Sequence, residues 1–238
     1  MAGPITFLKQ KPVQLILLPL ANLLLAGVFW FGQLTRYQTT VQGVLYGWIL
    51  LGLLFVFVQL SLFPGAWRDS GERPAADRFG ARWLLASQIV FCLGVIVYTC
   101  LTLTAMMRQH ARFVPYDMLI MTAAAMVLLP AMFRYRRQFA APQAKLAYAT
   151  AFKVAPQYVQ AAALATAGAG GMRVSSLGAL VSIVGLRFLI SRATHQKGAN
   201  QYTGVTLQAA RRDWWSVLVM LGGWAAGQWN GGGILHLL

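Results

Sequence analysis

Seven apolar runs, each near twenty residues, divide this chain almost from end to end. Inside hydrocarbon every backbone N–H and C=O must find its partner within the protein, so only helices and closed barrels can span a bilayer. A helix rising about 1.5 Å per residue needs about 20 residues to cross a core about 30 Å thick. The runs are Val13–Leu34, Gln42–Phe63, Trp83–Met107, Pro115–Phe133, Leu146–Ala167, Val174–Ser191 and Trp214–Leu237. They predict an all-α integral membrane protein, a bundle of about seven transmembrane helices forming one polytopic domain over residues 1–238. Charged residues make up 11% of the chain, against about 25% in a soluble domain. The first run is longer than the apolar stretch of a signal peptide and no small-residue cleavage site closes it, so it reads as a retained span.

The net charge of +15 comes from 20 Lys and Arg against 5 Asp and Glu. In a soluble chain that balance points to nucleic acid; here the bases sit in short loops between spans, and the partner they imply is the lipid bilayer, not nucleic acid. With the N-terminus on one side, that side collects Lys9, Lys11, Arg68, Arg73, Arg78, Arg82, Arg134, Arg136, Arg137, Lys145, Arg187, Arg192, Lys197, Arg211 and Arg212. The other side has Arg36, Arg108, Arg112 and Arg173. The positive-inside rule makes the richer side cytoplasmic, giving a cytoplasmic N-terminus and an external C-terminus, and with short loops it suggests a bacterial inner membrane. The Pro64–Arg82 segment, with three of the five acids, reads as a connecting loop. Trp30, Trp67, Trp83, Trp214 and Trp215 are expected at the interfaces.

The fifth run carries what a purely apolar span would not: Lys153, Pro156 and Gln157. A lysine at the centre of a span costs about 2.5–3.5 kcal/mol on insertion scales. Lys153 either snorkels its ammonium back to the cytoplasmic interface or lines a polar cavity with Gln157, one turn on. Pro156 frees the Phe152 carbonyl, so a kink is expected there, and proline-interrupted spans are pointers to a transporter's site or hinge. Arg187 is the sixth run's counterpart. Asp213 is an acid within reach of either base in sequence terms; otherwise a cavity with unpaired cations favours an anion. Asn22 joins Lys153, Pro156, Gln157 and Arg187 as a candidate for substrate binding or gating. Gln59 and Gln88 read as glue between helices.

In the seventh run Gly223, Gly227 and Gly231 stand four apart, a doubled GxxxG ridge for close helix approach. Packing against the alanine-rich fifth run and homodimerisation both use such a ridge. Cys92 and Cys100, about 12 Å apart along one helix, are too distant for a disulfide and read as packing residues. No HExxH, paired-cysteine motif, carboxylate cluster, GxSxG or glycine-rich phosphate loop occurs. The expectation is a protein that is not an enzyme, with no metal or cofactor. A small-solute carrier or permease, taking a small solute or anion, leads; a non-catalytic membrane subunit of an envelope, secretion or respiratory complex, with partner subunits, is the alternative.

Pro156-Gln157, the small residues that follow, Gly170-Gly171, Ser175-Ser176 and Gly178 together resemble the PQ-loop family of transporters and receptors, which includes SWEET-type sugar carriers and ER-retention receptors. The resemblance implies two three-helix bundles joined by a linker helix, with Pro156 as hinge, Gln157 as the motif amide and a solute site between the bundles.

Overall fold

The computed structural model describes residues 11–41, 43–138, 141–167, 174–196, 199–200 and 206–230. These are almost wholly helical: α1 Lys11–Tyr37, α2 Tyr46–Gly71, α3 Ala75–Arg108, α4 Pro115–Tyr135, α5 Pro142–Ala149, a π-helical turn Thr150–Val154, α6 Ala155–Ala167, α7 Val174–Thr194 and α8 Leu207–Asn230. A two-residue ladder, β1 His195–Gln196 against β2 Ala199–Asn200, is the described sheet. Five helices are long and apolar enough to cross a membrane: α1, α2, α3, α4 and α7. The fifth predicted run is instead a composite of α5, the π-turn and α6. The seventh begins earlier than expected, at Leu207, and carries Arg211, Arg212 and Asp213 in its first two turns. Gln42 and Gly231 lie outside the described residues.

The segment expected as a loop, Pro64–Arg82, is helical except at a short turn around Glu72–Pro74. At 26 and 34 residues, α2 and α3 are about 39 and 51 Å long, well beyond the hydrocarbon thickness. Pro64 sits inside α2 without ending it. Where a helix leaves the hydrocarbon, water can take the carbonyl that proline leaves unbonded, so the break the sequence suggested is not enforced.

Packing defines two triplets. In the first, α3 lies between α1 and α2; in the second, α8 lies between α6 and α7. Each triplet therefore has the order first, third, second. The triplets meet where α1 packs on α7 and where α2 packs on the π-turn and α6, closing a ring, and α4 lies against α2 and α6. Both triplets start at the same end of the bundle. There Leu18 of α1 packs with Ala81, Leu84 and Ile190. The opposite end is fixed by Asp117, fully buried at the start of α4, whose Oδ2 accepts from the Val114 N–H and Oδ1 from the Gly47 N–H, each at 2.8 Å. The core nearest this end holds Phe29, Tyr37 and Tyr98, with the two tyrosine hydroxyls 3.0 Å apart. Trp30, expected at an interface, packs on Phe91 (5.5 Å between rings) and fills the space beside Gly94. A glycine there leaves a notch that an indole can occupy.

Candidate functional site

The π-turn builds the site. Pro156 has no N–H for the Phe152 carbonyl, and the helix answers one turn upstream. Ala155 N–H reaches back five residues to the Thr150 carbonyl, widening one turn of the helix that Pro156 interrupts. Such single π-turns inside α-helices recur at functional positions. The Thr150 hydroxyl donates to the Leu146 carbonyl (2.8 Å) and accepts from Arg212 Nη1 of α8 (3.2 Å), tying the widened turn to the neighbouring helix.

Lys153 lies in this turn, and its ammonium donates to the Asp213 carboxylate of α8. Of the two readings open in the sequence, snorkelling is therefore not the one adopted: the charge is held by a carboxylate across a helix contact. Asp213 is 7% exposed and its second oxygen, Oδ1, has no partner among the described residues.

These two residues line a cavity of about 140 Å³ at the end where both triplets begin. One wall comes from the first triplet, with Phe55, Val58, Gln59 and Leu62 of α2 and Leu84 and Gln88 of α3. The facing wall comes from the second, with Tyr148, Lys153, Arg187, Ile190, Ala210 and Asp213. The cavity thus lies between the triplets. Its walls are largely apolar with a limited set of polar groups among them, the arrangement that small-molecule sites share.

Arg187 stacks its guanidinium over the Phe91 ring at 3.7 Å from the centroid, a contact that fixes the plane of the cation. Its Nη2 makes a long bond of 3.4 Å to Gln88 Oε1, and its Nε has no partner among the described residues. Gln59 Oε1 accepts from the Cys92 thiol at 3.6 Å. The two amides that sequence patterning treats as glue are therefore cavity residues; their role depends on which way α2 and α3 face, and those helices are apolar all round. Lys145, also on the lining and just outside the fifth span, has its ammonium held below the usual lysine range by burial, an effect that nearby Asp69 partly reverses.

Of the five residues singled out in the sequence, Lys153 and Arg187 line the cavity. Pro156 shapes the turn that presents Lys153. Gln157 is buried beside the cavity rather than in its wall, and accepts a hydrogen bond from the Ser216 hydroxyl of α8. Asn22 is not brought to the site: it is buried on α1, away from the lining, and its Oδ1 has no partner among the described residues. Asp213, raised in the sequence only as a possible partner, is a central member.

Beyond the cavity the same helix pair closes completely. A Cβ added to Gly223 would collide with the Ala161 backbone and one added to Gly227 with the Leu164 carbonyl. Gly223 and Gly227 of the ridge are thus consumed within the chain, against the small-residue face of α6. Further along α6, Gln160 donates through Nε2 to the Gly43 carbonyl, while its Oε1 is unpartnered among the described residues. No family model matches the chain, and no curated protein or solved structure matches it.

Proposed function

We propose that this chain is a small-solute carrier whose solute site is the cavity holding Lys153, Arg187 and Asp213. The single observation that carries this reading is the position of that cavity: it separates two helix triplets of the same internal order, with the charged groups of the second facing the amides Gln59 and Gln88 of the first. Carriers built from repeats bind between the repeats and work by rocking one against the other. Triplets that start at the same end need an odd number of connecting spans, and α4 supplies one. The composite of α5, π-turn and α6, together with α8, completes seven spans in this reading. Two triplets joined by a single linker helix are also what the PQ-loop resemblance implies. The basic segments around the cavity end make that end cytoplasmic, with the N-terminus inside, in a bacterial-type inner membrane.

Alternating access tests the proposal without a known substrate. Gln160→Cys would be examined in a Cys92→Ser, Cys100→Ser background, using a membrane-impermeant thiol reagent applied to inside-out and right-side-out vesicles in turn. A carrier gives labelling at Gln160 that depends on conformation and is reached from at least one side. A membrane scaffold that packs its amides dry gives none from either side while loop cysteines label normally, and that result would favour the complex-subunit reading.

A further inference from the structure

The lining of the cavity specifies the kind of solute it suits. Charges are partly cancelled in place: Lys153 is taken by Asp213, and Lys145 lies within the field of Asp69. Arg187 remains as a cation without a carboxylate bonded to it. Its face is covered by Phe91 and its Nη2 meets Gln88 Oε1 at 3.4 Å, while Nε is enclosed without a partner among the described residues. A guanidinium is the group that pairs with the two oxygens of a carboxylate. The carboxylate on the lining, Asp213, is bonded to Lys153, so the positive charge at Arg187 suits a single negative charge.

Size and polarity restrict the rest of the molecule. A space of about 140 Å³ is close to the engineered apolar cavity of about 150 Å³ that admits benzene. Phe55, Val58, Leu62, Leu84 and Ile190 offer that space hydrocarbon and aromatic surface.

Taken together, we infer that the cavity binds a small monocarboxylate, an anion with a compact apolar body about the size of a benzene ring, its carboxylate paired with the Arg187 guanidinium. The inference rests on the carrier reading for its biological meaning, but the binding event is independent of transport.

The test uses the full chain purified in detergent and four probes of one shape: benzoate, neutral benzamide, cationic benzylamine and the dianion phthalate. Benzoate is expected to raise the unfolding midpoint by about 3–6 °C at ten times its Kd, and the other three to leave it unchanged. Arg187→Gln should weaken benzoate at least about tenfold. Arg187→Lys, which keeps charge without the fork and guards against a simple folding defect, should fall between. Asp213→Asn releases a second cation and should admit phthalate. Benzamide binding as tightly as benzoate, benzoate surviving Arg187→Gln, or no benzoate binding to the unaltered chain would each overturn the assignment. If benzoate fails while Gln160→Cys still labels, only the solute class falls; if benzoate binds and Gln160→Cys is silent from both sides, the site stands and the carrier reading falls.

Discussion

The helix pair formed by the composite fifth segment and α8 is built in two ways along its length. In the half bearing Ala161 and Leu164, glycine ridge meets backbone with no room for a methyl group. In the half bearing Lys153 and Asp213, the contact is an ion pair beside a cavity. The charged half includes the π-turn, and Pro156 lies between the two halves. One span thus combines a close-packed half with a half that lines a cavity. Close packing of small residues fixes the axis at one end, while a widened turn lets the other end present a charged side chain without paying for it in hydrocarbon. Lipid offers no hydrophobic drive between helices, so fit and polar pairing must hold them together, and this pair uses one in each half.

The largest expected effect lies in the tight half. Gly223→Leu should cost at least about 3 kcal/mol, because the overpacking is against backbone that cannot rotate away; chemical denaturation in detergent would register it as loss of the folded fraction. A mild effect would mean that the two helices are farther apart than described.

In the charged half, Lys153→Met alone should cost about 3 kcal/mol by leaving Asp213 buried and unpaired, and Asp213→Leu about as much for the converse reason. The double variant should recover a large part of either loss, and a double-mutant cycle measures the coupling. Additive losses would show that the pair does not form.

A smaller effect, about 1 kcal/mol or less, is expected for Pro156→Ala, since a membrane helix already accommodates the proline. Its informative readout is geometric. With an N–H restored at position 156 the widened turn loses its cause, the helix can return to α register, and the Lys153–Asp213 coupling energy should fall. Coupling unchanged in the Pro156→Ala background would detach the π-turn from the proline.

Asn22→Leu should change stability least, within about 1 kcal/mol, because its buried carbonyl oxygen already lacks a partner and an apolar replacement of similar shape removes that cost. It should also leave benzoate binding intact. Loss of binding would return Asn22 to the site from which the geometry removes it.

Much of the bundle is legible in the sequence because bilayer physics allows so few alternatives: apolar runs of this length become helices, and the predicted fourth run matches α4 to within two residues at its C-terminal end. The glycine ridge is legible too, since spacing by four defines a face and Ala161 to Ala163 offer a surface small enough to receive it. The site is only half legible. Lys153 and Arg187 stand out because a charge in a span needs a reason. Gln59 and Gln88 do not, since a lone amide in a uniformly apolar helix gives no periodicity from which to read its direction. Asn22 fails for the same reason in reverse. The π-turn is the least accessible feature: Pro156 announces a defect but not that a turn upstream of it widens, and the Arg212–Thr150 contact that ties this turn to α8 joins residues 62 apart in the chain.

The most direct test is water access along this one helix pair. Single cysteines at Gln59, Ala210 and Leu164 would be placed in the Cys92→Ser, Cys100→Ser background and exposed to an impermeant thiol reagent on the cytoplasmic face of inside-out vesicles. Gln59→Cys and Ala210→Cys, on opposite walls of the cavity, should both label, and benzoate should slow them; Leu164→Cys, against Gly227, should stay silent. Labelling at Leu164 as fast as at Gln59, or silence at both cavity positions, would contradict the account.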